Sequence, residues 1–513
     1  MIASNGFMII AIVAYMVMLI VIGFIYARRN AQVGDFYLGG RKLGAVVTAM
    51  SAEASDMSSW LLMGLPGVAY LSGFADAGWT AIGLAIGTYL NWLLVARRLR
   101  RYSQAAGNAI TLPEFFSNRY RDEKKLLTWI AAIVILIFFI PYTAAGFAAC
   151  GKLFNSVFGI DYTTAMLIGA VVVVSYTTIG GFLAASTTDL MQGIIMSVSL
   201  LGILIFGVLV AGGIDAVRGN AQTLPGYLSM TLSHNGASGQ AESYGLITII
   251  STMAWGLGYF GMPHILLRFM AIRDEKKLVF SRRIAVTWVV ISLGVAVLIG
   301  IVGQTLSANG TIATLQGSSS ETVLLRIAEL ISRQGVLCAL AAGIFLSGVL
   351  AATMSTSDSQ LLVASSGVTE NLIGECFGIK LPAKKTMLIA RATVILIAVI
   401  AAFIARNPES SIFLIVSFAW AGFGAAFGPV MLFALFWKRS NLYGAVAGMI
   451  AGGAMVFVWK YLVRPFGGAW NIYELLPAFL FACVAIVAVS LITKAPAREI
   501  TEEFDSVTKM KNW

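Results

Sequence analysis

Charge is scarce in this chain, and so is histidine. Only 12% of its 513 residues are Asp, Glu, Lys or Arg, against roughly a quarter in a soluble domain, while 58% are hydrophobic. That balance excludes a soluble fold. The only two histidines, His234 and His264, are too few for a histidine-based catalytic or metal centre. The four cysteines, Cys150, Cys338, Cys376 and Cys483, show no paired spacing and no nearby histidine, so neither a metal site nor a disulfide framework is expected. No GxxxxGK[ST] loop occurs, which argues against an ATP-driven pump. The tail after residue 492 is too short for a kinase or nucleotide-binding domain, so one membrane domain is expected to be the whole protein. With no nucleophile constellation either, an enzyme is not expected. The driving energy has to come from a gradient, or be absent as in a channel.

Long apolar runs are what the chain has instead. A helix crossing a bilayer needs about 20 mainly apolar residues, because no water is there to satisfy its backbone. Such runs lie near 6–27, 44–71, 75–96, 126–150, 162–181, 189–211, 244–263, 284–306, 336–366, 389–406, 410–437, 442–461 and 473–492, which predicts about 13 spans in an all-α integral membrane protein. The first is too long for a signal peptide and no Lys or Arg precedes it, so it is expected to be a retained helix. Lys and Arg stay preferentially on the cytoplasmic side. Most of the 35 fall on that side if the N-terminus is outside and the C-terminus inside. The clusters Arg97, Arg98, Arg100, Arg101 and Arg273, Lys276, Lys277, Arg282, Arg283 are then topology anchors facing anionic lipid, not nucleic-acid contacts. Arg391, Arg406 and Lys460 lie near helix ends and are expected to snorkel.

Polar residues and Gly/Pro breaks are costly within a span and usually mark backbone that lines a cavity or binds an ion. The second run carries Ser51-Ala-Glu-Ala-Ser-Asp-Met-Ser-Ser-Trp60 and then Gly64, Pro66 and Gly67; the seventh carries Ala254-Trp-Gly-Leu-Gly-Tyr-Phe-Gly-Met-Pro263. Two broken helices at matching places in two five-helix halves are the mark of an inverted-repeat transporter, with its site near the midplane against the unwound backbone. A third stretch, Ala351-Ala-Thr-Met-Ser-Thr-Ser-Asp-Ser-Gln360 in the ninth run, puts Ala352, Ser355 and Thr356 on one helical face. Its two hydroxyls, completed by carbonyls around Ala54 and Met57, suit a bare alkali cation; alternatively they bond back to carbonyls one turn earlier and ease packing.

Further motifs are Phe36-Tyr-Leu-Gly-Gly-Arg41, Trp60-Leu-Leu-Met-Gly-Leu-Pro-Gly67, Thr111-Leu-Pro113, Gly180-Gly-Phe-Leu183 with Thr188-Asp189 and Gln192, Pro263-His-Ile265 with Arg268-Phe-Met-Ala271, Met354-Ser-Thr356, and Phe427-Gly-Pro429 with Leu435-Phe-Trp-Lys-Arg439. In these, over nearly its whole length, the chain resembles the sodium/solute symporter family, most closely its bacterial sodium/proline branch. The resemblance implies 13 helices around a 5+5 inverted-repeat core of the leucine-transporter type, in a bacterial inner membrane, working without cofactor or obligate protein partner. Sodium would be the coupling ion and L-proline the cargo. It implies a sodium site of the backbone oxygens of Ala54, Met57 and Ala352 with the hydroxyls of Ser355 and Thr356. Asp56, Ser58 and Asp189 are implicated in ion coupling, although Asp189 also follows Ser186, Thr187 and Thr188 at an expected helix start, where the helix dipole favours an acid. Tyr142, Trp255, Tyr259 and Pro263 are implicated in substrate binding; aromatic faces suit a pyrrolidine ring, and ordinary helix packing is the alternative. The same machine with pantothenate, a sugar or another carboxylate as cargo is the nearest rival, ahead of a channel or a transporter-like sensor.

The expected organisation is an extra helix and first loop at 1–43, repeats at 44–211 (segments 2–6) and 212–437 (segments 7–11), and two peripheral helices with a tail at 438–513. His264 is expected to be structural, at the cytoplasmic edge. Glu53 departs from the pattern, standing where a small residue is expected, and Asp358 is an unexplained intramembrane acid. The outer loops 212–243 and 307–335 carry no interpretable motif.

Overall fold

A long run of Leu, Ile, Val and Ala in a medium without water closes its own hydrogen bonds as helix, and the structure, a computed structural model, is built almost wholly of such helices. It describes residues 2–27, 33–379 and 382–509. Arg28, Arg29, Lys380 and Lys511, which enter the charge pattern, lie outside the described residues. Large apolar side chains face outward along the spans, among them Val171, Leu209, Leu396 and Phe403, each at least 61% exposed. That inside-out pattern belongs to a molecule whose solvent is lipid.

Among the described residues ten helices are long and apolar enough to cross a membrane, and eleven if the bent pair Leu246–Phe260 and Pro263–Ala271 is one span. The expectation was 13. The second expected segment is cut into Ala45–Asp56 and Trp60–Ser72, each too short alone. The fifth, expected at 162–181, keeps an apolar helix only over Tyr162–Ser175. It meets the sixth, Gly181–Val210, at a kink at Gly181, where the backbone leaves helical geometry (φ 66°, ψ −173°) in a way any Cβ would strain, so the two are separate helices. The two outer loops are not featureless: they hold a helix at Ile214–Thr223, a hairpin pairing Leu232–Asn235 with Gln240–Ser243, a 3-10 turn at Gly317–Thr322 and a helix at Val323–Ser332.

Both expected breaks are present. The Ala45–Asp56 helix ends at Met57 (φ −76°, ψ 72°), and the chain resumes as a wide π turn at Trp60–Gly64 and a helix at Leu65–Ser72. The Leu246–Met253 helix tightens to a 3-10 turn over Ala254–Phe260, leaves helical geometry at Met262, and restarts at Pro263, the whole bent by 44°. Glycines allow this second break to sit against its neighbours. A Cβ on Gly256 would come within 2.2 Å of the Gly83 carbonyl oxygen, and one on Gly258 within 1.9 Å of the Trp420 indole nitrogen. Small residues at such crossings replace the hydrophobic drive that lipid cannot supply. The Val336–Ser366 helix packs along Tyr162–Val210, Leu126–Phe158 and Ala45–Asp56, which carries Ser355 to the first break. Leu442–Val458 and Leu475–Ile492 pack on each other and on Ile412–Phe436 at the periphery.

Candidate functional site

The first break and the Val336–Ser366 helix meet at a cluster of oxygens. Ser355 Oγ donates to the Ala54 carbonyl at 2.7 Å and is 3.2 Å from the Ala352 carbonyl. Thr356 Oγ1 is buried with no hydrogen-bond partner among the described residues. Met57, the first residue off the helix, has a ψ of 72°, which turns its carbonyl out of the helical direction. A helix that continued through Asp56 would lock these carbonyls into its own ladder. The break frees those of Ala54 and Met57, and with the Ser355 and Thr356 hydroxyls and the Ala352 carbonyl the result is a set of neutral oxygens of the hard kind that alkali cations prefer.

Asp56 ties the two broken helices together. Its Oδ2 accepts the Tyr259 hydroxyl at 2.6 Å, while Oδ1 is buried without a hydrogen-bond partner among the described residues. Its backbone carbonyl takes the Ser58 amide at 2.8 Å, the Trp60 indole N–H at 3.3 Å and the Tyr142 hydroxyl at 3.4 Å. Asp56, Ser58, Tyr142 and Tyr259 therefore come to one place. Glu53, one turn earlier, accepts the Trp92 indole N–H at 2.8 Å, and its other oxygen is buried without a partner among the described residues.

Trp255 lies in an aromatic box. It stacks on Tyr473 at 5.3 Å between ring centroids, with Phe413 at 5.2 Å, Trp60 at 6.0 Å and Trp420 at 6.4 Å around it. Tyr259 meets Trp420 edge-on at 5.1 Å, and the Trp420 indole N–H donates to the Trp255 carbonyl at 2.7 Å. Trp255, Tyr259 and Tyr142 are all buried, so the box is closed to both sides. Pro263 is the first residue of the helix after the break, where its missing N–H costs nothing and its fixed φ starts the turn; its place is in the hinge.

Asp189 is elsewhere, and not at a helix start. The sixth-segment helix, kinked away from the fifth, begins at Gly181, which leaves Asp189 two turns inside it and fully buried. Its Oδ2 accepts Ser51 Oγ at 2.6 Å and Arg268 Nη2 at 3.2 Å. Arg268 also donates to Ser51 Oγ (3.0 Å), the His264 carbonyl (2.8 Å) and Ser359 Oγ (2.5 Å). One guanidinium thus joins both broken helices, the kinked helix and the Val336–Ser366 helix. Asp358, hydrogen-bonded to Ser359 Oγ through Oδ1 at 3.1 Å, belongs to this network and is fully buried. His264 is buried against the Phe139 ring.

The sequence reading missed Arg268, although it stands in a quoted motif; ending the seventh run at 263 left it in the following loop, whereas the helix runs on over Pro263–Ala271. It also missed Trp420, Phe413 and Tyr473, whose rings look like ordinary span residues. A buried ion pair escaped it too. Lys152 Nζ lies 2.6 Å from Glu321, in the outer loop without a motif, and Glu321 in turn accepts the Ser411 hydroxyl (2.8 Å) and the backbone amides of Ile412 (3.1 Å) and Phe413 (3.0 Å). That carboxylate holds the N-terminus of the Ile412–Phe436 helix, where the helix dipole favours it.

A family model described as the Sodium:solute symporter family matches residues 36–452. The chain is 42% identical over 502 residues to the "Sodium/proline symporter" of Haemophilus influenzae, covering 96% of each chain. To the protein of the same name in Escherichia coli it is 41% identical over 499 residues, covering 97% of this chain and 95% of that one. Among solved structures, a Na+-coupled sialic acid symporter in a substrate-bound outward-open state superposes with a TM-score of 0.78, at 16% identity, over 96% of this chain and 99% of that one. The fold is the all-α, leucine-transporter type of membrane protein that the resemblance implied.

Proposed function

The chain belongs to the sodium:solute symporter family, and from that premise we propose that it is a secondary active transporter, not an enzyme, that takes up L-proline coupled to sodium by alternating access. The names of its relatives support cargo and ion alike. The observation that carries the reading is the junction of Ser355 Oγ with the Ala54 carbonyl at 2.7 Å, which joins the first broken helix to the Val336–Ser366 helix through groups that a cation can take over. Sodium is held by the carbonyls of Ala54, Met57 and Ala352 with the hydroxyls of Ser355 and Thr356. Ser355 then turns its proton away from Ala54 and presents a lone pair to the ion.

Sodium bound there orders the end of the Ala45–Asp56 helix, and so Asp56 and Ser58. Asp56 is the coupling link, because the same carboxylate fixes Tyr259. Proline lies with its ring in the box of Trp255, Tyr259 and Tyr142, and its polar end near the unwound backbone. Pro263 sets the hinge, and Asp189 with Arg268 closes the network beneath. The halves 44–211 and 212–437 rock against each other. A ligand shifts that equilibrium only by its differential affinity for the two states. The membrane potential supplies about 2.3 kcal/mol per charge per 100 mV, or roughly fifty-fold accumulation with one sodium ion. The protein lies in the bacterial inner membrane with its N-terminus outside and C-terminus inside, as the positive charges favour.

The test is uptake of radiolabelled L-proline into proteoliposomes, with and without an inward sodium gradient, for the wild type and Ser355→Ala/Thr356→Ala. Sodium-driven accumulation that collapses at least tenfold in the double variant supports cargo and ion site. Uptake indifferent to sodium overturns the coupling. Sodium-driven uptake of pantothenate or a sugar in place of proline overturns the cargo alone.

A further inference from the structure

We propose that a groove at the edge of the bundle, separate from the sodium and proline site although Trp92, which bonds Glu53, lies on its wall, is a binding site for one anionic phospholipid. The groove encloses about 760 Å³ between the helices Ala96–Ala105, Leu278–Ala308, Ile412–Phe436 and the C-terminal helix Arg498–Lys509. Arg97, Arg98, Arg101, Lys276 and Arg282 line it, and the one acid on its walls is Glu275, which leaves four positive charges in excess. Glu275 sits 2.8 Å from Arg101 and 4.0 Å from Arg97. Arg98 is held in place by its bond to the Leu435 carbonyl at 3.0 Å, with its guanidinium 4.2 Å above the Phe436 ring. Concentrating like charges in one half-buried groove is unfavourable without a counter-anion, and arginine forks match a phosphate in geometry.

The second wall decides which anion. Leu93, Leu94, Val279 and Phe436 line the same groove and are each 39–43% exposed. A free phosphate ion has no use for apolar surface. A phospholipid places its phosphate on the cations and its acyl chains along that wall, and basic pockets at the ends of membrane helices take anionic headgroups in this way. Val507 and Thr508 of the C-terminal helix line the groove as well. That helix is anchored by Lys438 to Asp505 at 2.6 Å and by the Arg121–Glu503 pair. The site therefore reaches beyond a general attraction of basic loops to a negative surface: it is a shaped cavity with a headgroup end and an acyl face.

The experiment uses the full-length protein, delipidated in a non-ionic detergent and titrated with phosphatidylglycerol, with phosphatidylcholine of the same chains, and with inorganic phosphate. Native mass spectrometry counts retained lipid. The expected result is one phosphatidylglycerol retained at concentrations where phosphatidylcholine is lost, and not displaced by millimolar phosphate. Each cation near the site contributes about a fivefold factor, so Lys276→Gln/Arg282→Gln lowers the affinity roughly twenty-five-fold. Arg282→Lys, which keeps the charge and reports on folding, retains the lipid, as does the remote control Arg391→Gln. Equal retention of the two lipids, or a double variant that binds as the wild type does, overturns the proposal. Displacement by millimolar phosphate overturns it as well, because the site then takes a free anion.

Discussion

At the scale of single residues, the site depends on a few polar atoms that have little choice of partner. Among the described residues Asp56 has one side-chain donor to its carboxylate, the Tyr259 hydroxyl, with its other oxygen buried and unpartnered. Tyr259→Phe keeps the ring against Trp420 but removes that donor. The expected outcome is a fall in proline uptake of at least tenfold with the amount of protein in the membrane unchanged, measured by initial rates against immunoblot. An unchanged rate sinks the idea that Tyr259 positions Asp56. Arg268 presents the opposite case, a buried charge with several partners. Removing one member of a buried pair strands the other at a cost of about 3–5 kcal/mol. Arg268→Ala is therefore expected to lower the detergent-solubilised melting temperature markedly, and adding Asp189→Asn to restore part of the loss. Equal melting of the single and double variants would show that Asp189 does not depend on Arg268. Asp56 was legible in the sequence as an intramembrane acid because charge there is rare, and Asp189 only through the family motif that carries it. Their partners were not, since Tyr259 is 203 positions from Asp56 and Arg268 is 79 from Asp189, and no local pattern connects them.

At the scale of elements, the two breaks are where backbone geometry does the chemistry. Glycine and proline spelled out both, because their effect on a helix is local. The sequence did not reveal that the breaks touch each other's side chains, or that the fifth and sixth segments meet directly at a kink at Gly181. The seam beneath the second break allows no Cβ. With the Gly83 oxygen 2.2 Å from where a Cβ on Gly256 would lie, Gly256→Ala is expected to push the Ala254–Phe260 turn away from the Phe74–Leu90 helix. Proline affinity, read by equilibrium binding in detergent with sodium present, should drop more than tenfold while Gly6→Ala, which meets nothing, leaves it unchanged. Wild-type affinity in Gly256→Ala would show that the crossing is not tight.

At the scale of the whole molecule, the closed aromatic box implies that ligand and conformation are linked. Sodium and proline together should slow amide hydrogen exchange at 254–262 more than either alone, and Ser355→Ala/Thr356→Ala should abolish the difference; identical exchange with and without sodium would break the proposed link between ion and pocket. By itself the sequence determined that this is a helical membrane protein, which helices break, and which hydroxyls and acids stand at the breaks. Hydropathy, helix-breaking residues and rare intramembrane charges act within a few residues of where they occur. The tertiary structure alone decided which of those residues meet. It moved Asp189 from a helix start to an ion pair with Arg268 and put Glu321, from a loop without a motif, beneath the Ile412–Phe436 helix. It also gathered Trp60, Trp255, Phe413, Trp420 and Tyr473 around one box. The reason is physical: lipid makes every outward apolar residue look alike, so which aromatic faces in is settled only when the helices pack.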